Sequence, residues 1–162
     1  MEYKRLYLAY GSNINLEQMA RRCPNSKVIG TAMIPDYELE FRGVATIVPK
    51  KGAEVPVLMW EIDQQDEINL NHYEGFPRLY RKEIFEMEVD GKIREGMAYL
   101  MNYKGVAPPT AQYYNGIKKG YEDNGMDTKY LHDALVHSVE YQQSELCESE
   151  EFMEDDLQMS LE

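Results

Sequence analysis

Two short segments of the chain carry residues that can do chemistry together. One is Tyr10-Gly11-Ser12-Asn13, at the end of an apolar run over residues 5–10 that reads as a buried strand. A Gly-Ser-Asn turn between a strand and a helix can aim successive backbone N–H groups and two short polar side chains at one point. Helix N-termini favour anions, so a carboxylate or phosphate suits such a turn. The same residues are also ordinary turn and cap residues. The other segment is Tyr73-Glu74-Gly75-Phe76-Pro77, followed by Leu79-Tyr80-Arg81. Glu74 stands at the end of an expected helix, where the backbone partial charge is negative and a carboxylate is disfavoured by about 0.3–1 kcal/mol. Apolar neighbours (Tyr73, Phe76, Tyr80) push its pKa further up, toward the range of a working general base. A surface glutamate before a helix-stopping glycine costs little, so the residues alone leave both readings open.

These segments need elements to position them. After the first strand, Asn13 or Asn15 can cap a short helix through Leu16, Met19 and Ala20 that Cys23-Pro24 terminates. Residues 27–34, 37–42, 44–48 and 55–62 are β-branched and aromatic runs that read as strands, with Pro49 to Gly52 a turn between two of them. Asp63 opens a helix with Asp66 and Glu67 in its first turn; Ile68 and Tyr73 are expected to face inward with Leu70 or His72, and Gly75 stops it. Residues 79–89 and 92–103 flank Asp90-Gly91, the strongest hairpin signal in the chain. Pro108-Pro109 suits a helix start, followed by Tyr113, Ile117 and Tyr121 at helical spacing. Asp127 or Thr128 caps a last helix with Leu131, Leu135 and Val139 on one face. Strands come first and helices last, an α+β order.

Length and charge bound the possibilities. A chain of 162 residues makes one domain the default. The net charge is −12, but residues 142–162 hold eight acidic and no basic residues, leaving −4 for residues 1–141. The expectation is one domain over 1–141 and an acidic tail over 142–162. That balance argues against nucleic acid, whose phosphates need clustered Lys and Arg. No apolar run approaches the ~20 residues of a membrane helix, so no membrane partner is expected. Residues 1–13 lack a signal peptide's apolar core and cleavage site, and the two cysteines, Cys23 and Cys147, suit a reducing compartment; a cytoplasmic protein is expected. His132 and His137 are five apart and would splay on a helix, so no metal site is expected.

Taken together, the two segments identify a resemblance. The chain resembles the gamma-glutamylcyclotransferase-like family, whose members carry Tyr-Gly-Ser-Asn after the first strand and a Glu-Gly further on as the acid/base. The likeness covers most of residues 5–135: Tyr10 to Asn13, Ala45-Thr46-Ile47, Val57 to Trp60, Tyr73-Glu74-Gly75, Tyr80, Ala98 to Met101 and Ala107 to Tyr113. It implies a small mixed β-barrel of six or seven strands with flanking helices and a pocket at one end. It implies that the backbone of Gly11, Ser12 and Asn13 holds the glutamyl carboxylate of a small-molecule substrate. Glu74 then takes the α-amino proton, Tyr80 and Tyr113 line the pocket, and Tyr10 supports the loop from below. The reaction converts a γ-glutamyl amino acid or γ-glutamylamine to 5-oxoproline and a free amine, and requires neither a metal nor a cofactor. Many members have a Gly where this chain has Arg78, and a bulky cation at the pocket rim would change the amine side of the substrate or select an acidic ligand.

Two other classes stay in view. A non-catalytic protein can use the same pocket to capture a small anionic metabolite, since fold does not fix function. An interaction module can dock a basic partner through the acidic tail. In that tail Leu146, Met153, Leu157 and Leu161 recur at helical offsets, as in an acidic amphipathic helix, while its composition equally suits a disordered end; disorder or a loosely docked helix is the expectation. The sequence is silent on oligomeric state.

Overall fold

The computed structural model describes the backbone of residues 3–161 and the side chains of residues 3–150. Its elements are β1 (Arg5–Ala9), α1 (Leu16–Arg22), β2 (Lys27–Arg42), β3 (Val44–Ile62), α2 (Gln64–Glu74), β4 (Tyr80–Val89), β5 (Lys92–Met101), α3 (Ala111–Asp123) and α4 (Lys129–Leu161). A 3₁₀ turn over Ser12–Ile14 joins β1 to α1. The strands form one sheet in the order β2-β3-β1-β5-β4. β1 is central, antiparallel to β3 and parallel to β5. That position explains its unbroken apolar run, because Leu6, Tyr7, Leu8 and Ala9 are all buried.

The α+β class expected from the element order is what the structure has. The strand number is lower than the six or seven expected. Residues 27–34 and 37–42 join into β2, and 44–48 and 55–62 join into β3, so seven runs become five strands. Both long strands bend at one corner. Tyr37 faces Pro49 and Pro35 faces Glu54, so residues 50–53 bulge out while the ladder resumes beyond them. Asp36 (φ 61°) and Gly52 (φ 85°) take the left-handed conformations of that corner, and the Gly52 N–H donates to Asp36 Oδ1 at 3.0 Å. The bend curls the sheet until its edge strands meet through Tyr37 and Phe85, whose rings lie 5.2 Å apart. The hydrogen-bonded ladder does not close between β2 and β4 among the described residues, so the sheet is a curled, open relative of a barrel.

The Asp90-Gly91 hairpin is as expected, both residues having positive φ (51° and 76°), the requirement of the tight turn that matches strand twist. On β4, Met87 and Val89 are buried and Ile84 is exposed, the two-residue alternation of a strand with one face inward. Two helix faces differ from expectation. In α2, Asp66 and Leu70 are buried while Ile68 and Tyr73 are exposed. Asp66 turns inward because its carboxylate completes a capping box with Asp63 and accepts from the Asn25 N–H. In α4, Leu131, Ala134 and Ser138 are buried and Val139 is exposed; this helix packs against β2 with small residues on its inner face. The helix continues through the acidic segment, whose backbone is helical to Leu161, the helical of the two alternatives, and residues 141–150 are exposed. The proposed apolar positions Met153, Leu157 and Leu161 lie outside the described side chains. Among the described residues no helix is long and apolar enough to cross a membrane.

Candidate active site

The first strand delivers its polar turn to a cavity of about 240 Å³. Tyr10 ends the strand run buried, with its phenol donating to the Tyr99 carbonyl. It thus supports the turn from below. Gly11 follows where there is little room for a side chain: an added Cβ would lie 3.3 Å from the Ala45 Cβ and 3.4 Å from the Tyr113 hydroxyl oxygen. The 3₁₀ turn closes with Ile14 N–H to Gly11 O and Asn15 N–H to Ser12 O, both at 3.1 Å. Among the described residues, the N–H groups of Gly11, Ser12 and Asn13 ahead of these have no hydrogen-bond acceptor, as at any helix start. Asn15, not Asn13, caps α1, its Oδ1 accepting from the Gln18 N–H at 3.0 Å.

Asn13 is instead built into the interior at 2% exposure. Its Nδ2 donates to the Tyr7 hydroxyl (2.9 Å), its Oδ1 accepts from Arg22 Nη1 (2.5 Å), and its carbonyl accepts from Trp60 Nε1 (3.0 Å). The turn is therefore clamped on three sides. From the fourth side, α3 comes so close at Gly120 that a Cβ there would stand 2.7–2.8 Å from the backbone of Ile14 and Asn15.

Glu74 reaches the same cavity from α2. Positions 66, 70 and 74 are successive i, i+4 places, so the face that buries Asp66 and Leu70 also turns Glu74 inward. The helix stops one residue later. Gly75 takes the left-handed conformation (φ 66°, ψ 38°), Phe76 N–H donates to Asn71 O at 2.9 Å, and Gly75 N–H donates to His72 O at 3.2 Å. This Schellman closure fixes where α2 ends and hence where Glu74 points. Burial pushes the Glu74 carboxyl up to about 7, against a smaller opposing pull from the Arg22 guanidinium. Among the described residues no side chain or backbone group hydrogen-bonds this carboxylate.

Tyrosines line the remainder. Tyr80 on β4 donates to the Ala45 carbonyl at 3.1 Å, and the Tyr113 hydroxyl on α3 accepts from the Ala45 N–H at 3.1 Å. One peptide on each side of Ala45 thus anchors a ring from each of two elements. Burial raises the pKa of both phenols, that of Tyr113 to about 12. All seven residues singled out in the sequence, Tyr10, Gly11, Ser12, Asn13, Glu74, Tyr80 and Tyr113, line this one cavity.

Sequence reasoning missed several of their neighbours. Tyr7 and Tyr99 sit on the paired strands β1 and β5 with rings 5.9 Å apart, and both face the cavity. Their signal was alternation on two strands whose parallel pairing no local pattern shows. Arg22 was also missed; it bonds Ser12 and Asn13 and lies over the Tyr73 ring. Two expectations about neighbours need correction. Phe76 does not cover Glu74: it is half-exposed, beside Tyr99 and under the Lys82 ammonium, outside the cavity lining. Arg78 is not at the cavity either; its carbonyl accepts from the Asn102 amide, and the rim position belongs to Leu79. The mouth is thus apolar, formed by the exposed side chains of Val44, Tyr73 and Leu79.

Residues 7–120 match the family described as gamma-glutamyl cyclotransferase, AIG2-like. The chain belongs to that family. The proteins named gamma-glutamylcyclotransferase from Homo sapiens and Mus musculus are each 30% identical to it over 141 residues, covering 77% of this chain and 74% of theirs. A solved structure titled gamma-glutamyl cyclotransferase superposes with a TM-score of 0.73 at 27% identity, over 81% of this chain and 86% of that one. The gamma-glutamyl cyclotransferase match spans both the turn after β1 and the Glu74-Gly75 helix end, and it reaches into α3, which carries Tyr113.

Proposed function

We propose that the cavity is the active site of a γ-glutamylcyclotransferase in which Glu74 is the general acid/base. The observation that carries this reading is the half-buried Glu74 carboxylate, raised by desolvation to near neutrality and lining the same small cavity as the Gly11-Ser12-Asn13 turn. A volume of about 240 Å³ is below the ~300–1,000 Å³ typical of pockets for drug-sized ligands, so it suits one small group. The γ-glutamyl moiety is that group. Its α-carboxylate lies on the N–H donors of Gly11, Ser12 and Asn13, with Tyr80 and Tyr113 against its methylenes. The amine half leaves through the apolar mouth.

The chemistry needs little more. The substrate carries its own nucleophile, because the α-amine can attack the γ-carbonyl and close a five-membered ring. Holding the reactive rotamer makes that attack intramolecular, an advantage worth about 7–11 kcal/mol in well-oriented systems. Glu74 takes a proton from the α-ammonium, and the freed amine adds to the γ-carbon. As the tetrahedral adduct collapses, Glu74 returns that proton to the departing nitrogen, and the ring nitrogen sheds its remaining excess proton to the freed carboxylate, which passes it to the released amine. The old C–N bond breaks, and 5-oxoproline and a free amine result. A carboxyl titrating near 7 is matched to both transfers, which together contribute about 10²–10⁴-fold.

The test is incubation of wild type and Glu74→Gln with a panel of γ-glutamyl amino acids and γ-glutamylamines, with 5-oxoproline read by mass spectrometry. Release by wild type and not by the variant is expected. Folded wild type that releases nothing from any substrate would overturn the catalytic reading and leave capture of an anionic metabolite in its place.

A further inference from the structure

Arg22 touches both halves of the site. It is the last residue of α1, and adjacent Arg21 and Arg22 both read as cations complementing a helix C-terminus. Only Arg22 is turned inward. Its Nη1 donates to Ser12 Oγ at 3.1 Å and to Asn13 Oδ1 at 2.5 Å, so it grips the turn from the side chains. Its guanidinium carbon lies 3.3 Å above the centre of the Tyr73 ring, one residue before Glu74. Its backbone carbonyl accepts from Asn69 Nδ2 of α2 at 3.0 Å.

We propose that Arg22 is a positioning residue that ties the Ser12-Asn13 turn to the C-terminal end of α2 and sets the charge state of Glu74 from outside the reacting atoms. The proposal rests on the cyclotransferase reading for its kinetic arm; its titration arm rests on the place of the guanidinium over the Tyr73 ring, next to Glu74, and on its pull on that carboxyl. The groups that act on or are acted on by Glu74 are Arg22 from α1, Tyr7 and Tyr10 from β1 and its exit, Tyr80 from β4, Tyr99 from β5 and Tyr113 from α3. Burial raises the pKa of all five tyrosines, so they stay neutral where Glu74 titrates. The guanidinium is the charge that opposes the burial of the carboxylate. Guanidinium is also suited to the place, since a planar fork can bond two acceptors and stack on a ring at once.

The experiment follows the Glu74 side-chain carboxyl by NMR in ¹³C-glutamate-labelled protein, the resonance being identified by its loss in Glu74→Gln. Arg22→Gln is expected to move the titration midpoint up by at least about half a pH unit, since a lost neighbouring cation no longer favours the carboxylate. Arg22→Lys restores the charge but not the two bonds and the stacking. It is expected to titrate like wild type while KM for a γ-glutamyl substrate rises roughly tenfold with kcat little changed. Arg21→Gln, an exposed neighbour, should alter neither reading. A midpoint unmoved in Arg22→Gln overturns the electrostatic role, and an unmoved KM in Arg22→Lys overturns the positioning role. If Arg22→Gln does not fold, the lysine variant decides both roles: a midpoint raised as far as half a unit despite the retained charge would overturn the first. A wild type that releases no 5-oxoproline would defeat the proposed reaction while leaving the NMR comparison readable.

Discussion

Replacing Glu74 by Gln is expected to make the protein more stable while removing its activity, and the gain should depend on pH. In the fold the carboxyl is raised from its ordinary 4.5 to about 7 by burial. A group whose folded pKa lies above its unfolded one binds more protons folded than unfolded between those values. Stability therefore falls as pH rises through that window and stays lower above it. The full difference corresponds to about 3 kcal/mol, and because the carboxylate faces an open cavity about 1–3 kcal/mol is the realistic range. Gln has nearly the same shape and no charge, so it escapes this cost. Urea unfolding of wild type and Glu74→Gln at pH 8 should separate by about 1–3 kcal/mol in favour of the variant, or roughly 2–12 °C in melting temperature for a chain of this size. At pH 4.5 the two should converge to within a few tenths of a kcal/mol. A variant less stable than wild type at pH 8, or an advantage of equal size at both pH values, would refute the idea that Glu74 is held charged against its surroundings.

Other consequences follow from the clamped turn and the long helix. Gly11→Val should weaken substrate binding more than Ser12→Ala, because it pushes methyls into Ala45 and Tyr113 while the serine loss leaves the backbone donors in place; equal, negligible changes in affinity for both would mean the loop is only a turn. Gly120→Ala should destabilise by about 1–3 kcal/mol and raise KM, since its Cβ would meet the backbone of Ile14 and Asn15 that α3 buttresses; denaturant melts and steady-state kinetics check it. Deleting residues 142–162 should leave kcat/KM unchanged, as residues 141–150 are exposed and none lines the cavity; a large loss would give the acidic segment a part in the site.

How far the site could be read in advance depended on the kind of signal each residue leaves. Gly11 to Asn13 and Glu74-Gly75 were legible because a strand exit and a helix stop are local events with compositional marks. Tyr80 and Tyr113 came from the family pattern and prove to meet at one residue, Ala45, from β4 and α3. No local pattern announces that meeting. Tyr7, Tyr99 and Arg22 depend on the parallel pairing of β1 with β5 and on the rotation of α1, both set by packing between distant segments. The strand count was overestimated for the opposite reason. Pro35-Asp36 and Pro49 to Gly52 carry strong turn chemistry, but a bulge satisfies those residues without ending the ladder. The inner face of α2 follows capping rather than hydrophobicity: the capping Asp66 takes a buried place while the apolar Ile68 stays exposed.

Assigning the proton transfers to one group also follows from what the other polar atoms already do. Tyr10 donates to the Tyr99 carbonyl, Tyr99 to Asn71 Oδ1 at 2.6 Å, and Tyr80 to the Ala45 carbonyl. Tyr7 accepts from Asn13 and Tyr113 from the Ala45 N–H. Every phenol at the cavity wall other than the exposed Tyr73 is thus tied into the scaffold, and burial holds all five well above neutrality. They fit a wall that excludes water and fixes shape, and they are poorly suited to carry a proton back and forth near pH 7. Glu74 is the reverse: inward-facing, without a hydrogen-bond donor among the described residues, and near half-ionised at neutrality. An acid/base that must first take up a proton and then return it needs that freedom. In the cyclisation proposed, substrate geometry supplies the nucleophile and Gly11 to Asn13 supply the grip, so one unanchored carboxylate completes the requirement. The same absence of partners that makes Glu74 costly to the fold is what leaves it available to the substrate's nitrogen atoms.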